Sequence, residues 1–378
     1  MKKILVATLE FPPTIGGIAT YVTQFARSID PQNVCLYAPH MTGDKAFDEG
    51  ESYKIFRKKQ LLGFFWPRWI PTIFHFFSIA KKEKIEIVAV NHVLPLGYAA
   101  LVLKKVRKIP YIVISHGTDV LYATANPWKK KMLKRVIEGA EQVVFNSESI
   151  KRRFLERLPE FEHKSVVVYP CPDKAFLGAV DTEKVEKLRR SLALQGKKVI
   201  LSVSRMDIGK GFQHLVHAMP EILAREPHTV WVIVGDGPKR EEIFEAVQKL
   251  SLQNVVRFIG SVPHEELGVY YHLADLFVLL THTAGEREEG LGLVFLEAAS
   301  AGKAIVAGKS GGVEEAVIDG ETGRVFDVYH EAGKVVDTIA ELLGDKEKRD
   351  MFGIAGKRRI EGVFDWNIQL EKLKPWLD

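Results

Sequence analysis

The chain reads Glu289-Gly290-Leu291-Gly292-Leu293-Val294-Phe295-Leu296-Glu297 at the stretch that decides its fold, an apolar run with an acidic residue at each end. Its glycine-rich start precedes a segment, Leu291 to Ala301, that we predict to be helical. Such a start aims unbonded backbone N–H groups at the space before the helix, which makes an anion site. Glu289 lies just outside this N-terminus, and Glu297 lies about two turns along on a roughly similar face. The stretch suits a sugar nucleotide, whose diphosphate would bind the N–H groups and whose sugar hydroxyls would bind the carboxylates. The alternative is a buried helix with two solvated acidic residues.

The residues that follow continue an α/β pattern. Lys303 to Gly308 is predicted to be a short buried strand, Ser310 to Gly312 a turn, and Val313 to Ile318 a short helix. Taken together, Glu289 to Gly323 resembles the C-terminal signature of the retaining glycosyltransferases of family 4, which have the GT-B fold.

The resemblance extends over most of the chain. Phe11 to Ile18, which reads FPPTIGGI, resembles the first loop of the family, and Ser204 to Gly211, which reads SRMDIGKG, resembles its phosphate-binding Arg/Lys pair. Gly290 to Gly292 and the loop before them are most similar to bacterial phosphatidylinositol mannosyltransferases and their relatives. The resemblance implies an α/β protein of GT-B fold, in which two Rossmann-like domains face each other across a cleft.

Length and pattern by themselves also indicate two domains, because 378 residues exceed one ordinary core. Strands alternating with helices predict parallel sheets, and the pattern breaks at Tyr169 to Pro172. The predicted strands are 2–9, 33–38, 85–91, 110–115, 141–146 and 164–169, then 198–203, 229–234, 255–259, 276–280 and 304–307. We expect an acceptor-binding domain over 1–172 and a nucleotide-sugar-binding domain over 173–363. The resemblance implies that a last helix, 364–378, returns to the first domain.

Composition and charge narrow the class of protein. With 46% hydrophobic and 27% charged residues, the chain is typical of a soluble globular protein. Residues 1–170 carry 26 Lys and Arg against 15 Asp and Glu, whereas residues 171–378 carry 27 against 33, so the first half should have an anionic partner. We predict neither a transmembrane helix nor a signal peptide, and therefore a cytoplasmic protein. The two cysteines argue against a disulfide framework.

Two cations follow a predicted strand of the second half. Arg205 and Lys210 come after residues 198–203, at the sheet edge where α/β proteins place ligands. With Gly209 and Gly211 beside them, they can grip a diphosphate, and the resemblance implies that they neutralise the leaving nucleoside diphosphate. The alternative is a pair of ordinary surface cations.

The resemblance implies further donor contacts, residue by residue. Glu297 would bind the ribose hydroxyls, Glu289 would bind hydroxyls of the transferred sugar, and His116 would reach that sugar near its anomeric carbon. His116 and Glu289 join the two cations as the expected catalytic set, and Asp119 is expected to orient the His116 loop. A histidine at the end of a buried strand is, alternatively, a structural group. The remaining expected donor contacts are Gly16, Gly17, Val262, Gly290, Leu291, Gly292 and Leu293.

The sequence predicts no metal and no cofactor. It contains no Asp-x-Asp pair and no His, Cys or carboxylate cluster with metal-ligand spacing. Protein cations and helix dipoles would then take the role of a divalent metal. Gly235 to Pro238 fails the Gly-x-Gly-x-x-Gly pattern of nicotinamide enzymes.

A basic and aromatic segment, 57–69, suits a membrane headgroup interface. Lys129 to Lys131 adds a basic helix face. The alternative is that the aromatics belong to the core and the lysines are solvated. No nucleic-acid motif accompanies the charge. The residues expected to contact membrane or acceptor are Arg57, Lys58, Lys59, Phe64, Phe65, Trp66 and Trp69.

The resulting prediction is a retaining, metal-independent hexosyltransferase. It would move mannose from GDP-mannose to a lipid-linked or glycan acceptor, at an anionic membrane surface on the inner face. The diphosphate would take the acceptor proton. Three alternatives stay open: a GT-B nucleotide-sugar epimerase, a transferase with a UDP-sugar donor and a soluble acceptor, and a non-catalytic nucleotide-sugar or lipid-binding protein.

Overall fold

The computed structural model describes residues 1–61, 63, 67–178 and 181–378. The chain divides into two compact units, Met1–Cys171 with Trp366–Asp378, and Pro172–Asp365. Among the described residues, no helix combines the length and the apolar character needed to cross a bilayer.

The first unit contains a seven-stranded parallel sheet. Its strands are β1 Ile4–Ala7, β2 Val34–Ala38, β3 Lys54–Arg57, β4 Ile87–Asn91, β5 Tyr111–Ser115, β6 Val143–Phe145 and β7 Ser165–Val167. The helices are α1 Gly17–Arg27, α2 Asp44–Asp48, α3 Ile70–Glu83, α4 Leu96–Arg107, α5 Thr118–Thr124, α6 Pro127–Gly139 and α7 Glu148–Arg157. The strand order is β3-β2-β1-β4-β5-β6-β7, so the direction of winding reverses between β1 and β4.

The second unit contains a six-stranded parallel sheet. Its strands are β8 Lys198–Val203, β9 Thr229–Val234, β10 Val256–Gly260, β11 Leu276–Leu279, β12 Ile305–Gly308 and β13 Arg324–Phe326. The helices are α8 Thr182–Ser191, α9 Phe212–Arg225, α10 Arg240–Lys249, α11 Leu267–Leu273, α12 Leu293–Ser300, α13 Val313–Ala316, α14 Ala332–Gly344 and α15 Lys346–Val363. In the order β10-β9-β8-β11-β12-β13 the winding reverses between β8 and β11. The predicted α/β class is confirmed.

The C-terminal residues pack on the first unit as two short helices, α16 Trp366–Glu371 and α17 Lys374–Leu377, rather than as the single helix predicted over 364–378. A proline lies in the first turn of α17, where its missing N–H is not needed. The ring of Trp366 lies 5.7 Å from that of Tyr21 and 5.8 Å from that of Phe25, between centroids. This apolar contact ties the chain terminus to α1.

Two strands were missed by sequence analysis, β3 and β13. β3 lies at the edge of its sheet and is partly exposed, so its four residues lack the continuous apolar run of a central strand. β13 has three residues and includes a charged Arg324. Short edge strands of this kind give little periodic signal.

Candidate active site

The loops that follow β8, β11 and β12 meet at the carboxyl edge of the second sheet, because these strands are neighbours. Open α/β sheets bind ligands outside the carboxyl ends of the strands, at the point where the winding reverses. In this unit that point lies between β8 and β11. Lys210 belongs to the loop after β8 and Glu289 to the loop after β11, and Lys210 Nζ lies 2.6 Å from Glu289 Oε2.

Backbone contacts fix Lys210. His282 N donates to Gly209 O at 2.9 Å, and Lys210 N donates to Asp207 O at 3.3 Å. Gly211 has φ +75°, and an added Cβ there would overlap the backbone of Leu280. Only glycine fits this position, so the loop after β8 is held against the end of β11. The lysine side chain, 28% exposed, stays accessible.

Glu289 is held just as firmly. Its N–H donates to Ser310 Oγ at 3.1 Å, and its carbonyl accepts from Gly312 N at 3.0 Å. Gly292 has φ +86°, where a Cβ would collide with the ring of Phe295. This left-handed residue ends the loop and lets α12 begin at Leu293, two residues later than predicted. By helix geometry, the first N–H groups of α12 point back toward the loop that carries Glu289.

Arg205 has a different carboxylate partner from Lys210. Its guanidinium is 68% exposed and is paired with the carboxylate of Asp207, which also accepts from Ile208 N at 2.8 Å. The sequence analysis did not assign a role to Asp207. A cation held at the surface beside the switch point remains reachable by a diphosphate.

Glu297 is buried, with 4% of its surface exposed. The hydroxyl of Tyr271 donates to Glu297 Oε2 at 2.6 Å. Burial raises the pKa of Glu297, an effect opposed by the charge of His264 and by the Tyr271 hydrogen bond. Tyr271 and His264 were not predicted to belong to the site. Val262, which is partly buried, precedes the short 3-10 turn that contains His264.

In the first unit, His116 follows β5 and forms hydrogen bonds through both ring nitrogens. Asn146 Nδ2 donates to His116 Nδ1 at 2.8 Å, so the ring proton belongs on Nε2, which donates to Asn91 Oδ1 at 3.3 Å. Burial, with a smaller contribution from His92, lowers the pKa of His116 to about 3. The ring is therefore a neutral hydrogen-bonding group.

His92 lies beside His116 and was not recognised in the sequence. It follows β4 and has φ +89°, a conformation that is unusual for a residue with a side chain. His92 Nδ1 donates to the carbonyl of Asn91, and Nε2 lies 3.7 Å from Glu10 Oε1. Burial lowers the pKa of His92, but Glu10 and Asp119 outweigh it and the net shift is upward.

Asp119 bonds to residues next to both histidines, Val93 after His92 and Ser115 before His116. Its Oδ2 accepts from Val93 N at 3.0 Å and its Oδ1 accepts from Ser115 Oγ at 2.9 Å. Gly16 and Gly17 lie at the start of α1, and an added Cβ at either would meet no atom of the described part of the chain within 4 Å.

The basic and aromatic segment 57–69 is less uniform than its sequence suggests. Arg57 is 8% exposed, and its guanidinium bonds to Asp48, at 2.7 Å, and to the carbonyls of Pro12 and Pro39. Burial and these three partners make it a structural cation.

Trp69 is partly buried and stacks on Tyr98 with ring centroids 4.5 Å apart. Lys58 and Lys59 are exposed. Phe64, Phe65 and Trp66 lie outside the described residues.

Within the described ranges, no group of three or more His, Cys, Asp or Glu side chains is arranged to hold a metal ion.

Two α/β units, each with a parallel sheet and polar loops at its switch point, define a two-domain protein of the GT-B type. Residues 15–176 match the family described as Glycosyltransferase Family 4, and residues 184–359 match Glycosyl transferases group 1. The chain belongs to the GT-B glycosyltransferases that combine these two domains, as its sequence motifs indicated.

Full-length relatives support the same family. The chain is 30% identical to the GDP-mannose-dependent alpha-(1-6)-phosphatidylinositol monomannoside mannosyltransferase of Mycobacterium tuberculosis, over 100% of this chain and 98% of the relative. It is 29% identical to the GDP-mannose-dependent monoacylated alpha-(1-6)-phosphatidylinositol monomannoside mannosyltransferase of Corynebacterium glutamicum, over 98% and 97%. The crystal structure of Anabaena HepE in complex with UDP has the same fold, with TM-score 0.82, 18% identity and 99% coverage of both chains.

Proposed function

We propose that this protein transfers mannose from GDP-mannose to a phosphatidylinositol mannoside or a similar lipid-linked acceptor, with retention of anomeric configuration and without a metal ion. The observation that carries the proposal is the Lys210–Glu289 pair, 2.6 Å apart at the switch point of the second unit, beside the N-terminus of α12. The donor and acceptor are taken from the full-length relatives, whose names specify both.

The second unit supplies positive charge for the leaving group. Lys210 and Arg205 would bind the diphosphate together with the backbone N–H groups that open α12. Fixed charges and dipoles of this kind stabilise the charge that develops on a leaving group, and losing one such group costs about a hundredfold or more in rate. The diphosphate oxygen would take the proton of the acceptor hydroxyl, so the reaction needs no protein base.

Two carboxylates would hold the sugars of the donor. Glu289, 15% exposed and already paired with Lys210, would accept hydrogen bonds from hydroxyls of the mannose. Glu297, held by Tyr271, would accept from the ribose hydroxyls. His116 would donate from Nε2 near the anomeric carbon, exchanging its long 3.3 Å bond to Asn91 for one to the sugar.

The acceptor would be a lipid presented at an anionic membrane on its inner face. The excess of 26 basic over 15 acidic residues in 1–170 supports this docking. Exposed Lys58 and Lys59 and the basic face of α6, with Lys129 to Lys131, would carry it. Arg57 is not part of the surface that we propose, because its guanidinium is buried against Asp48.

The test is a screen of purified protein with radiolabelled GDP-mannose and UDP-glucose, each with phosphatidylinositol, with phosphatidylinositol monomannoside, or without acceptor. We expect mannosylated lipid only with GDP-mannose. Transfer from UDP-glucose would mean that the donor is UDP-glucose and not GDP-mannose. Formation of an epimerised sugar nucleotide without acceptor would establish the epimerase alternative. Lys210→Ala should abolish the signal, while the matched control Lys239→Ala, an exposed cation paired with Glu242, should keep it.

A further inference from the structure

A carboxylate and an imidazole occupy the switch point of the first unit. The winding of the sheet reverses between β1 and β4. Glu10 comes just after β1 and His92 just after β4, and Glu10 Oε1 lies 3.7 Å from His92 Nε2. This is the position in an open parallel sheet where a ligand is expected, and in the second unit the equivalent position holds the Lys210–Glu289 pair.

The backbone of His92 is in an uncommon conformation. Its φ of +89° places a non-glycine residue in a sparsely populated region, and residues in such regions cluster at ligand sites. The conformation persists because the surroundings fix it: Nδ1 donates to the carbonyl of Asn91, and the next residue, Val93, donates to Asp119 Oδ2 at 3.0 Å. Together these contacts aim Nε2 of His92 at Glu10.

The two members of the pair differ in exposure. The His92 side chain is 11% exposed, whereas that of Glu10 is 44% exposed. A ligand would therefore touch the carboxylate, and the imidazole behind it would hold that carboxylate in place. An exposed carboxylate accepts hydrogen bonds and repels phosphate, so it suits hydroxyl groups.

We propose that Glu10 binds hydroxyls of the neutral sugar or cyclitol ring of the acceptor, and that His92 is its positioning residue. The inference rests on the proposed function for the placing of the acceptor on the first unit, and it adds the groups that recognise it. The phosphate of a lipid acceptor would lie away from Glu10, toward the basic residues of this unit. Within the part of the chain that the structure describes, three neighbours set the charge around His92: Glu10 and Asp119, which are acidic, and His116, which is neutral.

The experiment compares acceptor and donor kinetics of Glu10→Gln and His92→Gln, with phosphatidylinositol monomannoside as acceptor. We expect each variant to raise the acceptor KM about tenfold, the scale of a hydrogen bond to a charged group, with donor KM and donor hydrolysis in water unchanged. The double variant should be little worse than either single variant, because residues that act as a unit are not additive.

Matched controls are Glu141→Gln, an exposed carboxylate paired with Lys104 at 2.6 Å, and His40→Gln, an exposed imidazole paired with Asp44. Both should leave the acceptor KM unchanged. An unchanged acceptor KM in folded Glu10→Gln, or an equal rise in donor and acceptor KM, would overturn the inference.

Failure of the proposed function has a different signature, since the wild type itself would then not use this lipid. In that case, ligand-observed NMR with myo-inositol and methyl α-mannoside still decides the inference. Binding by the wild type that Glu10→Gln weakens supports it, and binding that is equal in both proteins, or absent from both, contradicts it.

Discussion

The two switch points of the molecule occupy the same place in their sheets but carry different chemistry. At the second, the cation Lys210 and the carboxylate Glu289 pair at 2.6 Å and both remain partly exposed. At the first, a partly buried neutral His116 is held by two asparagine side chains, a strained His92 bonds to the backbone carbonyl of Asn91, and Glu10 is the exposed member. On our proposal, the second unit balances charge on a diphosphate, whereas the first unit orients hydrogen bonds.

The largest effect should come from removing a donor-binding cation. Arg205→Ala and Lys210→Ala should each lower transfer by at least about a hundredfold, because each removes a charge that stabilises the leaving diphosphate. Steady-state rates on purified, folded variants measure this. Near-normal turnover in either variant would remove that residue from the catalytic set. It would also weaken the proposed difference between the units, in which the second unit supplies the charge that stabilises the diphosphate.

The next effect concerns the two histidines of the first unit, which should influence stability with opposite signs. The pKa of His116 is lowered from 6.5 to about 3, so the unfolded state binds more protons between these values. The free energy of unfolding should therefore fall as pH falls below about 6.5, with a slope approaching about 1.4 kcal/mol per pH unit.

His92 contributes the other way. Its folded pKa is raised, so its contribution is complete below the unfolded value and is lost as pH rises through the folded value. Urea unfolding across a pH series tests both signs. His116→Asn should flatten the acid slope and His92→Asn should not; a wild-type slope in His116→Asn would show that His116 is not buried as a neutral ring.

A smaller effect is expected at the membrane. Lys58→Glu with Lys59→Glu should weaken flotation with anionic liposomes by about tenfold or more, since each basic residue near such a surface contributes about 1 kcal/mol. Binding should also weaken with salt, because the Debye length shortens from about 10 Å at 0.1 M to about 3 Å at 1 M. The matched control is Lys334→Glu with Lys346→Glu, two exposed lysines of the second unit.

Liposome flotation of the wild type and of the Lys58→Glu, Lys59→Glu variant distinguishes two ways in which the docking proposal can fail. Wild-type protein that ignores anionic and neutral liposomes alike at low salt would refute docking. Unchanged binding by the variant would move the surface to α6, where Lys130→Glu with Lys131→Glu is the next pair to test.

Removing divalent metal ions is expected to have no effect on the rate of transfer. The charge on the diphosphate is assigned to Lys210, Arg205 and the N-terminus of α12, so transfer should survive excess EDTA. Activity lost with EDTA and restored by magnesium or manganese would mean that the second unit does not balance this charge alone.

The site that we propose for the donor could be located from sequence because its signals are local. The run from Glu289 to Glu297 and the loop from Arg205 to Gly211 each contain, within a few residues, the glycines and charges that their backbone needs. Strand order then brings Lys210 and Glu289 together across 79 positions of sequence. The α/β class followed from the alternation of apolar runs with helical segments. Of the strands described above, only the short β3 and β13 were not predicted.

The site that we propose for the acceptor was less predictable because its contacts are tertiary. His92 looks like an ordinary residue after an apolar run, and nothing local shows that it faces Glu10, 82 positions earlier in the chain. Arg57, in contrast, belongs to a run of cations that suggested a surface, whereas its guanidinium bonds to Asp48 and two carbonyls. Composition cannot separate a buried cation from its exposed neighbours Lys58 and Lys59.

The most direct test of the central claim is the anomeric configuration of the product. If the second unit stabilises the departing diphosphate, and that diphosphate then takes the proton of an acceptor on the same face, the α-linked donor must give an α-linked product. Proton–carbon coupling at the anomeric centre of the purified mannolipid, measured by NMR, reads this directly. We predict the α configuration in wild-type product; a β-linked product would contradict the account.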